Sequence, residues 1–380
     1  MAKDLIVFGE DWGGLPSSTQ QLIKHLSSER KVVWINSIGL RQPQWNYRDV
    51  LRAMSKLFSV NKRNYNGHSE TQTAISNKHF TVINPKTIPA PRSRWARSLS
   101  TWLLRHQTLS AVKRLGCHSP VLWVSLPTAV DMVGQLDESG VVYYCGDDFS
   151  ALAGVDHETV IIRERELVDC ADIVLTASDT LRQKMNRASA VTIEHGVDYA
   201  LFSNHCAPAS DLPNQGRPIA GFYGSISQWL DIELLVAVAQ RMTDWDFVFI
   251  GESVIDISSL TKLSNVYFLG AKAHELLPRY SQHWQVSLLP FRQNEQINAC
   301  NPFKLREYLA AGTPVVSTAF PAVEAFGDAI AIVSGAEQMC EAIYHSLNDS
   351  QAQKKSRQLL VCEHSWQARA SEVAELVDCL

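Results

Sequence analysis

Short unbroken runs of Val, Ile, Leu and aromatic residues recur along the chain, and most are followed by a longer stretch with helical apolar spacing. In the first half the runs are Leu5–Phe8, Val32–Ile35, Val121–Val124, Val141–Cys145, Ile173–Thr176 and Val191–Ile193. Four or five such residues without polar alternation describe a strand buried on both faces, as in a parallel sheet covered by helices. Between them Thr19–Leu26 and Glu158–Cys170 carry helical spacing, with Ser17 or Ser18 placed to cap the first. Around Asn204–Pro218 the pattern stops, in a stretch with three prolines, one glycine and no period. That is the composition of a connection. The alternation then resumes with strands Ile219–Tyr223, Phe247–Ile250, Val266–Leu269, Val286–Leu289 and Val315–Val316, and helices Asp231–Arg241, Phe303–Ala311 and Trp366–Leu376. The pattern predicts an α/β chain of two Rossmann-like, doubly wound parallel-sheet domains, 1–205 and 218–365, joined by a linker at 206–217 and followed by a helix within 366–380.

Composition narrows the class. The chain has 380 residues, 46 % hydrophobic and 19 % charged, with 10 Trp, 10 Tyr and 13 Phe, which excludes a disordered polymer. No apolar run approaches the roughly 20 residues of a membrane-spanning helix, and Leu5–Phe8 is too short for a secretory leader. A cytoplasmic protein is expected. The 8 cysteines are scattered, with no C-x-x-C and no H-E-x-x-H, so no metal is expected. The net charge of −4 conceals an asymmetry: residues 41–114 hold 14 Lys+Arg against 2 acids, a net of +12, leaving −16 for the rest. A basic region of that kind faces something anionic.

Ligands of open parallel sheets lie beyond the carboxyl ends of the strands. After the first strand comes a loop with Asp11, Gly13, Gly14 and Ser17, whose glycines admit a close ligand and whose polar groups can bind it. It lacks the G-x-G-x-x-G pattern, which disfavours a dehydrogenase. After Val141–Cys145 stand Asp147 and Asp148. Asp147 is a candidate general base, whereas Asp148 is placed to cap the following turn. Asp244-Trp245-Asp246 precedes its strand and reads as a solvated turn. From Asn301 to Ser317 the chain reads as a helix entered at Pro302, closed by Gly312, and followed by a strand. Lys304 and Glu307 share one face of that helix. A cation beside a carboxylate suits a nucleotide diphosphate, Lys to phosphate and Glu to the ribose hydroxyls; a surface ion pair is the plain alternative.

With these residues the chain resembles the GT-B glycosyltransferases, in particular the bacterial enzymes that build exopolysaccharide and lipopolysaccharide from nucleotide sugars. The resemblance rests, in order, on His195-Gly196-Val197-Asp198, Tyr223-Gly224-Ser225, Asn265–Gly270, Lys304–Ser317 and the Trp366 helix. It implies two domains facing across a cleft, the second binding the donor and the first the acceptor, with a last helix crossing back to the first. It implies no cofactor and no metal. On the donor side it points to Lys304, Glu307, Gly224, Ser225, Asn301, Phe303 and Arg292; on the acceptor side to Asp11, Gly13, Gly14, Ser17 and His195. Glu307 looks like the second glutamate of an E-x7-E motif whose first position is here Ala299, and the Arg/Lys pair of retaining members is replaced by Ser225-Ile226-Ser227-Gln228. Around Tyr143, Asp147 and Ser150, and at Phe303-Lys304-Leu305, the chain is similar to the inverting xanthan glucuronosyltransferase group, which implies Asp147 as base. Retention stays as the alternative.

The basic region then acquires a partner. Trp95, Leu99, Trp102 and Leu103 fall on one helical face within Arg92–His106, flanked by arginines, and Trp45, Leu51, Met54, Leu57 and Phe58 suggest a second such stretch. Basic, Trp-bearing amphipathic helices settle on anionic membranes, where lipid-diphosphate-linked saccharide acceptors reside; a helix facing the core is the alternative. No nucleic-acid signature accompanies the charge. The expected function is transfer of a sugar from a nucleotide-diphosphate sugar to a saccharide or lipid-linked acceptor. A sugar-nucleotide 2-epimerase and a catalytically silent sugar-binding subunit are the competing readings.

Overall fold

The computed structural model describes residues 2–14, 16–38, 79–88, 93–152, 155–214 and 216–380. They form two compact units, one from the described residues of 1–177, 181–193 and 370–380, the other from 178–180 and 194–369.

The first unit is built on seven parallel strands, β1 (Leu5–Phe8), β2 (Val32–Ile35), β3 (Phe80–Ile83), β4 (Val121–Val124), β5 (Gly140–Cys145), β6 (Ile173–Thr176) and β7 (Ala190–Thr192), in the order β3-β2-β1-β4-β5-β6-β7. The second has six, β8 (Ile219–Tyr223), β9 (Asp246–Ile250), β10 (Val266–Phe268), β11 (Val286–Leu289), β12 (Val315–Thr318) and β13 (Ile330–Val333), in the order β10-β9-β8-β11-β12-β13, again all parallel. In each sheet the strand order reverses beside the first strand of the unit, β1 or β8. Loops diverge there and leave room for a ligand. The central strands are buried throughout, as their unbroken apolar runs require. β3 and β13 were not evident from the pattern. Both are edge strands with partly exposed residues: Thr81 interrupts the apolar run of β3, whereas β13 is a full apolar run, Ile330-Ala331-Ile332-Val333.

Of the helices, α1 (Ser18–Leu26) is capped by Ser17, whose side chain accepts from the Gln20 amide. α2 (Arg94–Leu115) runs from a Ser93 cap to the left-handed Gly116. α3 (His157–Cys170) and α4 (Asp179–Met185) follow β5 and β6. In the second unit α5 (Ile232–Arg241) follows β8 and α6 (Phe303–Ala311) precedes β12. The final helix, α7 (Trp366–Val377), begins within the second unit and ends within the first. There Asp378 pairs with Arg30 at 3.0 Å.

Three expectations are corrected. Residues 194–205 belong with the second unit, because Glu194 accepts an ion pair from the buried Arg306 at 3.0 Å and Val197 bridges to Ser365. The stretch 206–217 is strapped to the second unit instead of linking freely. Arg279 donates to Ala207 O and Pro208 O, and Tyr280 to Asp211 Oδ1 at 2.7 Å. Finally, only Asp244 lies in the expected exposed turn, since Asp246 opens β9 at 0 % exposure.

The helix bearing Trp95 and Trp102 packs through its other side. Ser100, Leu104, Thr108 and Ala111 are its buried residues, while Trp95 is 73 % and Trp102 65 % exposed. Arg97 is engaged in ion pairs with Asp131 and Glu166. The second basic stretch, Trp45 to Phe58, lies outside the described residues, as does Arg92. Among the described residues no helix is long and apolar enough to cross a membrane.

Candidate active site

In the second unit the site grows from the end of β8. Gly224 leaves that strand at φ +133°, a conformation that L side chains rarely adopt, and its amide donates to Ile250 O at 2.8 Å. A Cβ on Gly224 would stand 2.6 Å from Lys304 Nζ, so the missing side chain is what lets the ammonium come up under the turn. Lys304 sits in the first turn of α6, where Pro302 offers no side-chain cap and the leading amides keep their positive end open. Its Nζ lies 4.9 Å from the Phe222 ring centre and 5.5 Å from that of Phe291. Burial lowers its pKa, against the pull of Cys300 and Glu307. Among the described residues no carboxylate stands within ion-pair distance of it.

One turn along, Glu307 is buried and accepts a hydrogen bond from His274 Nε2 at 2.7 Å. Burial opposes charge on His274, but the hydrogen bond and charge of Glu307, helped by Glu275 and Asp198, outweigh it and raise the pKa. The Tyr223 hydroxyl lies beside the same carboxylate, and its pKa is raised by burial and by that charge.

The other residues expected on the donor side are dispersed. Ser225 is half-buried just beyond Gly224. Arg292 is exposed, tied down through its amide to Trp229 O at 2.8 Å. Asn301 is buried and accepts from Arg306 Nη1 at 2.6 Å, a bond that secures the start of α6. Phe303 stands edge-on to His195 at 4.4 Å and to Trp366 at 5.5 Å. His195 is corrected in place: it is packed inside the second unit rather than on an acceptor-side loop, and burial, with Arg306 nearby, pushes its pKa well down.

In the first unit the loop after β1 is fixed by Trp12, whose ring meets Trp34 at 4.8 Å and Phe80 at 4.5 Å. Asp11 accepts from the Ser37 amide at 3.1 Å, the Gly13 amide donates to Gln20 Oε1 at 3.0 Å, and the Gly14 amide to Asp11 O at 3.0 Å. Ser17, besides capping α1, donates to the Glu10 carboxylate. Glu10 has its pKa raised by burial, with a contribution from the charge of Asp147. The carboxylates of the loops after β1 and β5 therefore lie near enough to feel one another's charge.

Asp147 keeps its side chain open to solvent, yet the protein around it displaces enough water to raise its pKa, and Asp148 raises it further. Asp148 is buried and capped as expected, accepting from Ser150 N at 3.0 Å and Ser150 Oγ at 2.6 Å. It also takes Lys184 Nζ of α4 at 2.5 Å. Those partners outweigh the burial that works against its charge and hold its pKa below the ordinary carboxylate range. The first unit thus sets an exposed carboxylate of raised pKa at a strand end. The second sets an uncompensated cation and a buried acid at a helix start. Glu10, Lys184 and His274 were missed as contributors. Glu10 could have been marked by its place in the glycine-bearing loop, whereas nothing in their local sequence marked the other two.

Two parallel-sheet units of this topology are the fold of the GT-B glycosyltransferases. HepE of Anabaena, solved with UDP and glucose, superposes over 100 % of both chains with a TM-score of 0.70 at 13 % identity. Sucrose-phosphate synthase of Thermosynechococcus elongatus does so over 98 % of both, with a TM-score of 0.69 at 18 % identity. At such identity they establish the fold alone. Residues 217–349 match the family model described as Glycosyl transferases group 1. The chain is also 29 % identical over 221 residues to TuaH of Bacillus subtilis (strain 168), a candidate teichuronic acid biosynthesis glycosyltransferase. That match covers 53 % of this chain and 55 % of TuaH, so the chain spans about half the length of the curated relative it matches.

Proposed function

We propose that the protein is a glycosyltransferase that moves a sugar from a nucleotide-diphosphate donor to a saccharide or lipid-diphosphate-linked acceptor in cell-surface polysaccharide synthesis. One observation carries this reading: the Lys304 ammonium, drawn under Gly224 onto two aromatic faces with no carboxylate against it. A cation so placed at an open helix start is matched by a diphosphate, and the charge-assisted bonds it offers strengthen as the leaving group gains charge. Glu307 then receives the ribose hydroxyls. The match to the Glycosyl transferases group 1 model agrees with a sugar donor, and HepE, solved with UDP and glucose, makes UDP the first nucleotide to test.

In this reading the reaction needs no metal, because the ammonium and the α6 amides meet the departing diphosphate. Asp147 takes the proton of the acceptor hydroxyl as it attacks, giving inversion. Its raised pKa brings it nearer the pH at which a base is most effective. The exposed Trp95 and Trp102 on a helix with no acid in its first turn give the protein a grip on an anionic membrane carrying the acceptor.

The test is incubation with UDP-, GDP- and ADP-sugars, with and without a membrane fraction. Nucleotide release that requires the acceptor supports the proposal. Isomerisation without an acceptor would establish the epimerase, and tight binding without turnover the silent subunit.

A further inference from the structure

We infer that His274 is a positioning residue: its Nε2–H keeps the Glu307 carboxylate facing a bound nucleotide's ribose and away from Lys304. The inference rests on the reading of the α6 start as a nucleotide site and assigns a task to a residue outside its contact set.

Lys304 and Glu307 are three residues apart on α6, a spacing at which opposite charges ordinarily pair. In this structure they do not. Lys304 Nζ goes up beneath Gly224 and over the Phe222 and Phe291 rings, while Glu307 Oε1 turns to His274 Nε2 at 2.7 Å. Glu307 is only 8 % exposed, and a buried carboxylate deprived of its donor is costly unless it finds a cation. Lys304, three residues back on α6 and within electrostatic reach of Glu307, is such a cation. An ion pair closing along the helix would cost the site twice, by neutralising the phosphate-binding ammonium and by turning the carboxylate from the sugar.

His274 is suited to prevent this. It sits on the short turn His274–Leu276, beyond β10, and its ring is set edge-on against Phe202 at 5.4 Å. The charged groups around it are Glu307 from α6, Glu275 from its own turn and Asp198, all acidic, and they favour the imidazolium that makes the bond to Glu307 charge-assisted. Glu307 is faced in addition by the hydroxyl of Tyr223 at the end of β8. Since a carboxylate accepts about four hydrogen bonds, the bond from His274 leaves capacity for a vicinal diol.

The experiment measures ribose recognition as a ratio on one protein sample. The chain is titrated calorimetrically with UDP, GDP and ADP, and whichever binds is compared with its 2′,3′-dideoxy counterpart. The unmodified protein should prefer the ribonucleotide by roughly ten- to hundredfold, the range of a hydrogen bond to a charged group. His274→Ala should reduce that preference to about threefold or less and weaken the ribonucleotide itself, whereas His274→Gln, which keeps an N–H donor, should retain most of it. His274→Leu serves as the non-donor if the alanine variant does not fold. A preference unchanged in a folded non-donor variant overturns the role of His274 and leaves the nucleotide site standing. A wild-type protein that binds a nucleotide without preferring the ribose form overturns the role of Glu307, and binding of none of the three overturns the site.

Discussion

Replacing Lys304 separates phosphate recognition from fold maintenance. The ammonium has no carboxylate at ion-pair distance among the described residues, and its contacts are the Phe222 and Phe291 rings at 4.9 and 5.5 Å. Losing those contacts should cost ~0.5–1 kcal/mol each, and that loss is opposed by relief from holding a charge out of water. Lys304→Met, which keeps the length of the side chain, should therefore leave the thermal midpoint nearly unchanged at neutral pH. The sign with pH follows from the lowered pKa: the unfolded lysine binds its proton more tightly, so the wild type loses stability as pH falls through the unfolded value, and the variant does not. Binding should respond far more. A charge-assisted bond to phosphate is worth about 1.5–3 kcal/mol, so affinity for the nucleoside diphosphate should drop roughly 10- to 150-fold. The matching nucleoside, which has no phosphate, should bind both proteins equally. Calorimetry on the pair gives the answer. Diphosphate affinity unchanged in the folded variant would falsify the assignment of Lys304, and equal weakening of nucleoside and diphosphate would trace the effect to a disturbed fold.

Other perturbations test the first unit. Asp147→Asn should lower turnover by about 10²–10⁴-fold with nucleotide affinity intact; the wild-type rate should fall on acidification at a pH above the ordinary carboxylate range, since the pKa of Asp147 is raised, and a near-normal rate in the variant dismisses it as base. Lys184→Met leaves Asp148 buried without its cation, and because Lys184 is partly exposed the loss should be held to ~1–2 kcal/mol, read from denaturant melts. The depressed Asp148 pKa means that its stabilisation is present above about pH 4 and is lost as pH falls through the folded value; an acid-unfolding midpoint that does not move in Lys184→Met refutes the clamp. Changing the exposed Trp95 and Trp102 together to Ala should shift stability by no more than ~0.5 kcal/mol each while reducing co-sedimentation with anionic vesicles. Full retention of vesicle binding would remove that helix from the membrane contact.

The sequence alone determined the strand–helix alternation, most central strands to within a residue, and the helix from Phe303 to Ala311 with Lys304 and Glu307 on one face. Those features are local: a strand buried on both faces must be apolar at every position, and a helix needs its stop signal nearby. Edge strand β3 was hidden by Thr81, which breaks its apolar run, whereas Ile330–Val333 of β13 is apolar throughout and was legible without being singled out. The spacing put Trp95 and Trp102 on one face of α2, now seen exposed, but left a core-facing helix open, because which side of a helix is buried depends on what the sheet presents to it. Only the tertiary structure decided that Glu194 and His195 belong with the second unit, that Lys184 reaches Asp148 from 36 residues away, and that His274 meets Glu307 across 33. Contacts between side chains so far apart in sequence leave no local spacing to detect. They are fixed by the order in which parallel strands pair, and that order is a property of the assembled sheet.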